Sequence, residues 1–167
     1  MSNTVYVIQI SISGSTVEKL NPLPLAEVPS AEDKIFKRKK RLMEIIDTTL
    51  LKCYLKINDS LVAPLLRLKT NCCHAEETER ALKRSQKYPE LIIFYNTKEK
   101  HQEALKLLND QSDKENSPLY GTAKTVQYLQ NLGPEHINLV CEYAGPVLDK
   151  SPDDGLSLFT GKYLVIL

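Results

Sequence analysis

Residues 42–68, LMEIIDTTLLKCYLKINDSLVAPLLRL, carry more apolar surface at helical spacing than any other part of this 167-residue chain. Leu42, Ile46, Leu50 and Tyr54 recur every four positions with Met43, Cys53 and Ile57 beside them, which predicts a helix with one wide apolar stripe. Glu44, Asp47, Lys52 and Lys56 stay off that stripe. Asn58, Asp59 and Ser60 offer short oxygen side chains that end one helix and cap the next, on which Leu61, Val62, Leu65, Leu66 and Leu68 would sit. The outcome is a tightly joined helix pair.

The same signals recur downstream. Ser30-Ala31-Glu32-Asp33 reads as a helix start, with a capping hydroxyl, an acid three residues on and negative charge in the first turn. In EETERALKRSQK the acids come early and the bases late, each matching the dipole end it lies near. Tyr88, Leu91, Ile92 and Tyr95 form a second stripe and Ala104, Leu105 and Leu108 a third. With a polar turn between them, these predict an αα-hairpin in which small Ala104 lets two helices approach closely. Residues 110–118 read as a polar loop. Thr125, Val126, Tyr128, Leu129 and Leu132 then precede a Gly133-Pro134 break, beyond which Ile137, Val140, Cys141, Ala144 and Leu148 continue an apolar face. Pro146 interrupts that face, so a kink or break is expected near Ala144. Ser151-Pro152-Asp153-Asp154 starts one more helix, whose Leu156, Leu158 and Phe159 are expected to lack a neighbour. The predicted fold class is all-α: seven or eight helices stacked as antiparallel pairs, part of an α-solenoid.

Several runs together resemble one family. IIDTTLLKCYL and LVAPLLRL, followed in order by ELIIFY, EALKLLNDQS, NSPLYG, TVQYLQNLG and PDDGLSLFT, are similar to the vacuolar protein sorting-associated protein 39 family, subunits of the homotypic fusion and vacuole protein sorting (HOPS) tether. The resemblance covers about residues 39–160 and corresponds to a middle segment of a much larger protein. It implies a scaffold or protein-interaction role in vesicle tethering, in late endosome and lysosome or vacuole fusion and in endosomal protein transport. Implied partners of the whole protein are other tether subunits and a late-endosomal Rab GTPase, on the cytosolic face of those membranes. Family members tend to carry a glycine in the turn where this chain has Glu99, a residue that disfavours a left-handed helix cap. They also tend to have a bulky residue in place of Pro146.

This divides the chain into a leader at 1–29, a helical segment at 30–160 and a tail at 161–167 that departs from the family. The leader can form a strand, with Tyr6, Ile8, Ile10 and Ile12 at a two-residue period, and its only evident mate is 163–167. The tail reads as folded back on that leader or exposed and sticky.

Chemistry is harder to find. No phosphate loop, dinucleotide turn, nucleophile elbow or His-Glu-x-x-His is present. Cys72-Cys73-His74, with Cys53, His101 and Cys141 as added ligands, is the one cluster to weigh for a metal, but adjacent cysteines chelate a single ion poorly. Buried or half-buried structural thiols in a reducing compartment are the expectation, Cys53 lying on the apolar stripe. A Cys73/His74 nucleophile pair lacks an evident orienting group, and His101 and His136 read as surface or satisfied core. We therefore nominate no catalytic, cofactor or metal residue, and no enzyme activity, and the residues that bind partners stay unassigned. The formal charge of +1 predicts no partner, but residues 30–56 are basic and residues 134–160 acidic. Lys37, Arg38, Lys39, Lys40 and Arg41 read mainly as a solvated helix face; the alternative is a basic-patch module for nucleic acid or a membrane surface, although no aromatic residues interleave. No stretch nears the ~20 apolar residues of a membrane span, so membrane contact is expected to be indirect.

Overall fold

The structure, a computed structural model, describes residues 31–159. The expected leader strand, its pairing with 163–167 and the tail therefore lie outside the described residues. Within them the chain is all-α: α1 (Ala31–Ile57), α2 (Val62–Arg67), α3 (Ala75–Arg84), α4 (Tyr88–Thr97), α5 (His101–Ser112), α6 (Ala123–Asn131), α7 (Ile137–Lys150) and α8 (Pro152–Phe159). Short 3₁₀ turns at Asp59–Leu61 and Pro134–His136 lead into α2 and α7.

Local chemistry sets the boundaries. Asn58 Oδ1 accepts from Ser60 N–H at 3.2 Å and from Ser60 Oγ at 2.6 Å, which stops α1 and seeds the turn into α2. Two hairpin turns close in the left-handed region without glycine, at Gln86 (φ 54°) and Glu99 (φ 56°). At each, the following N–H reaches five residues back, Lys87 to Leu82 O at 3.0 Å and Lys100 to Tyr95 O at 2.8 Å. The left-handed residue itself bonds three back, Gln86 to Lys83 O and Glu99 to Asn96 O, both at 3.1 Å. These are the paired bonds of a Schellman cap. The absence of glycine at Glu99 thus leaves the left-handed cap in place, because two backbone bonds offset its steric cost.

Two other expectations change. α5 runs on to Ser112, three residues into the expected loop, because Gln111 and Ser112 are buried and Ser112 Oγ donates to Asn109 O at 2.7 Å. α7 continues through Pro146 without a break. Ala144 and Val147 flank that proline on the buried face, and their packing holds the turn helical.

Packing joins helices close in sequence: α1 on α2 and α3, α4 on α2, α3 and α5, α6 on α5, α7 and α8, and α7 on α8. Two cores result. Leu51, Val62, Leu66, Leu82, Leu91 and Phe94 fill the first, and Leu105, Leu129, Val140, Val147 and Leu158 the second. Ile92 and Tyr128 pack against both. Ala104 is fully buried, as its size predicts for the α4–α5 approach. Gly155 allows α8 equally close to α7, since a Cβ there would lie 2.6 Å from Leu148 Cγ and 3.0 Å from its Cα. This contact corrects the expectation for the last helix. Leu158 is fully buried and Phe159 packs on the second core, leaving only Leu156 exposed.

Candidate interaction surface

α1 is anchored by its second half alone. Thr48 and Leu51 are its buried residues, with Leu50, Tyr54 and Leu55 half-buried against the first core. The stripe predicted to be buried faces outward over most of its length: Leu42 is 57% exposed, Ile46 49% and Ile57 84%, with Met43 and Cys53 also exposed. At ~100° per residue, these positions share one sector with Lys39, on the side of the helix away from Thr48, Leu51 and Leu55. The helix is thus apolar on two faces, and the more continuous one is open among the described residues. Ile35 and Phe36, at 64% and 69% exposure, extend the open surface towards the start of the helix.

Beyond the anchored half, α1 overhangs the body, and its overhang makes a corner with the start of α3. Polar bonds join the two sides of that corner. Cys72 N–H donates to Asp47 Oδ2 at 2.7 Å, and His74 N–H donates to Thr48 Oγ1 at 2.9 Å. His74 then caps α3, its Nδ1 accepting from Glu77 N–H at 3.4 Å. The corner is a cleft of about 590 Å³ lined by cationic Lys37, Lys40, Arg41 and Lys52, by His74 and by the carboxylates of Glu44 and Glu77. Lys52 is ion-paired with Glu77, which holds the Glu77 carboxyl below its ordinary range. Among the described residues no carboxylate pairs with Lys37, Lys40 or Arg41. Arg38 and Lys39 belong to the same basic run but do not line the cleft.

The residues weighed for chemistry are scattered. Cys73 is buried, and desolvation, with Asp47 nearby, pushes its thiol up to about 11, leaving it protonated and unreactive at neutral pH. Cys72 Sγ lies 3.5 Å from Thr70 O. Cys53 and Cys141 are exposed, which corrects the expectation of buried or half-buried thiols at both; the Cys53 stripe points outward. His101 Nδ1 lies 2.8 Å from Tyr128 Oη, and its ring centroid 4.5 Å from that of His136. Burial first, and then the neighbouring His136, lower the His101 pKa. No group of three or more His, Cys, Asp or Glu side chains among the described residues is placed to hold a metal ion. No described helix is long and apolar enough to cross a membrane.

Comparison with known proteins places this helical array. The family model described as vacuolar sorting protein 39 domain 1 matches residues 46–148. The chain belongs to the Vps39 family. It is 58% identical over 124 residues to the human Vam6/Vps39-like protein, covering 74% of this chain. It is 55% identical over 127 residues to the Drosophila melanogaster vacuolar protein sorting-associated protein 39 homolog. With the Saccharomyces cerevisiae vacuolar morphogenesis protein 6 it shares 32% over 124 residues. The chain spans 14% of the length of the human and fly relatives and 12% of the yeast one. No solved structure matches it. The Vps39 domain match begins at Ile46, within α1, so the basic run and the open end of the helix precede it.

Proposed function

We propose that this chain is a protein-interaction and scaffold segment of a HOPS vesicle-tethering subunit. It serves fusion of late endosomes with lysosomes or vacuoles, and endosomal protein transport. Family membership and the vacuolar sorting named for the relatives support the process. The outward apolar stripe of α1 carries the mechanism: Leu42, Met43, Ile46 and Ile57 remain exposed on a helix whose other face is already packed. Exposed apolar stripes of this kind mark contact surfaces. Packing between sequence neighbours supports an α-solenoid of antiparallel pairs. On this proposal residues 30–160 are its helical segment, 1–29 a leader and 161–167 a tail. In such an array the open stripe is a stacking face. Partners are other tether subunits and, for the longer protein, a late-endosomal Rab GTPase, met on the cytosolic side of the late-endosomal, lysosomal or vacuolar membrane. The role is binding and not catalysis.

Co-precipitation of tagged chain with individually expressed tether subunits tests this reading. At least one subunit is expected to be retained by the native chain and lost with Leu42→Asp plus Ile46→Asp, both at exposed positions. Retention that ignores those substitutions, or no retention of any subunit, would refute it.

A further inference from the structure

We infer that the cleft between the overhang of α1 and the start of α3 is a binding site for a ligand carrying two or more phosphate groups. The inference is independent of the outward stripe, which lies on the opposite side of α1. Lys37, Lys40 and Arg41 line the cleft within about one turn of one helix without an ion-pair partner among the described residues, against one carboxylate, Glu44, that Lys52 does not engage. Positive charge in a concave site favours an anion more than the same charge spread on a convex face. Three features favour phosphate. Arg41 offers a planar fork of donors for phosphate oxygens, and the lysines add point charges. The first turn of α3 brings the positive end of its dipole to the cleft, where its own Glu77 is held by Lys52. His74, whose Nδ1 accepts from Glu77 N–H, is left with Nε2–H as a donor in its neutral form. Thr49 adds a hydroxyl. The volume of about 590 Å³ falls in the range of small-molecule sites and exceeds the needs of one phosphate, which is why two or more groups are assigned.

Arg38 and Lys39 supply an internal control, being equal in charge to Lys40 and Arg41 and adjacent to them, yet outside the cleft. Inositol hexakisphosphate is titrated calorimetrically into the whole chain at about 0.15 M salt, where nonspecific attraction is screened. One-to-one binding is expected, weakened at least about tenfold by Lys40→Glu with Arg41→Glu and less than about threefold by Arg38→Glu with Lys39→Glu. Circular dichroism checks that the variants stay helical, and Lys37→Gln with Lys40→Gln, milder for the helix, is expected to weaken binding in the same direction. Phosphatidylcholine vesicles with and without phosphatidylinositol bisphosphate identify the source. Cosedimentation only with the phosphorylated lipid places the phosphates on a headgroup, and its absence alongside hexakisphosphate binding assigns a soluble ligand. Lack of saturable binding, or equal loss in the two Glu pairs, would overturn the site. So would tighter binding of a ~20-nucleotide RNA that both Glu pairs abolish, the behaviour of a general polyanion patch.

Discussion

Replacing Glu99 with glycine is expected to stabilise the protein, although it deletes a side chain and adds no contact. Glu99 sits at φ 56°, where a Cβ crowds the carbonyl and costs roughly 1–2 kcal/mol relative to glycine. Glycine gives back part of that gain through its greater freedom in the unfolded chain, roughly 0.5–1 kcal/mol. The net expectation is a gain of about 0.5–1 kcal/mol. Both Schellman bonds persist, since they belong to the backbone: Lys100 N–H to Tyr95 O at 2.8 Å and Glu99 N–H to Asn96 O at 3.1 Å. Gln86 at φ 54° supplies a second, separate test of the same reasoning. Alanine is the control at both sites, because it keeps the Cβ while removing the polar side chain. Urea denaturation with a common slope measures the difference, and a thermal midpoint raised by ~2–4 °C per kcal/mol checks it. If glycine is no more stable than alanine at both positions, the left-handed caps are not as described, and neither hairpin turn is strained.

Four further outcomes follow from particular contacts. Leu51→Ala, on the anchored face of α1, is expected to cost about 2–5 kcal/mol in denaturant titration, whereas Ile46→Ala on the open face stays within about 0.5 kcal/mol. Mass spectrometry after brief alkylation at neutral pH is expected to find Cys53 and Cys141 modified and Cys73 modified only once the chain unfolds. The folded-state pKa of His101 lies below 6.5, so the unfolded chain binds the proton first and stability falls as pH drops from about 7 through that lowered value. His101→Gln is expected to flatten that fall in thermal melts above the carboxylate range. Gly155→Ala drives a methyl group into Leu148 and is expected to cost about 1–3 kcal/mol by urea titration.

Helices were legible in the chain because their caps and stripes agree. His74 to Lys87 carries its acids and bases at the proper ends, and α3 spans Ala75–Arg84 within it. Leu91, Ala104, Leu105, Leu108, Val126, Leu129 and Val140 all reach the core as their spacing predicts. The orientation of α1 was not legible, because periodicity reports that a stripe is apolar and not which neighbour covers it. Thr48, buried by its hydrogen bonds to Glu44 O and from His74 N–H, gives no hydrophobic signal at all. The cleft escaped for a different reason. Lys40 and His74 lie far apart in sequence, and the Asp47 and Thr48 bonds to the chain before α3, with the Lys52–Glu77 pair, bring them to one corner. Pro146 shows the opposite error, a strong local signal that packing at Ala144 and Val147 overrides.

The division into two cores bears on how this chain comes apart. α4 and α5 contribute to both, and Ile92 and Tyr128 touch both, but no substantial contact links α1, α2 or α3 to α6, α7 or α8. Such an arrangement allows the α6–α8 end to open while α1–α4 keeps its amide protection, and the reverse. Hydrogen exchange is then expected to resolve two blocks of opening free energy with the slowest amides in α4, around Leu91 and Phe94. Under mechanical load this would act as a weak seam, yielding by one block before the other and recoiling through contacts formed mainly between sequence neighbours, which re-form quickly.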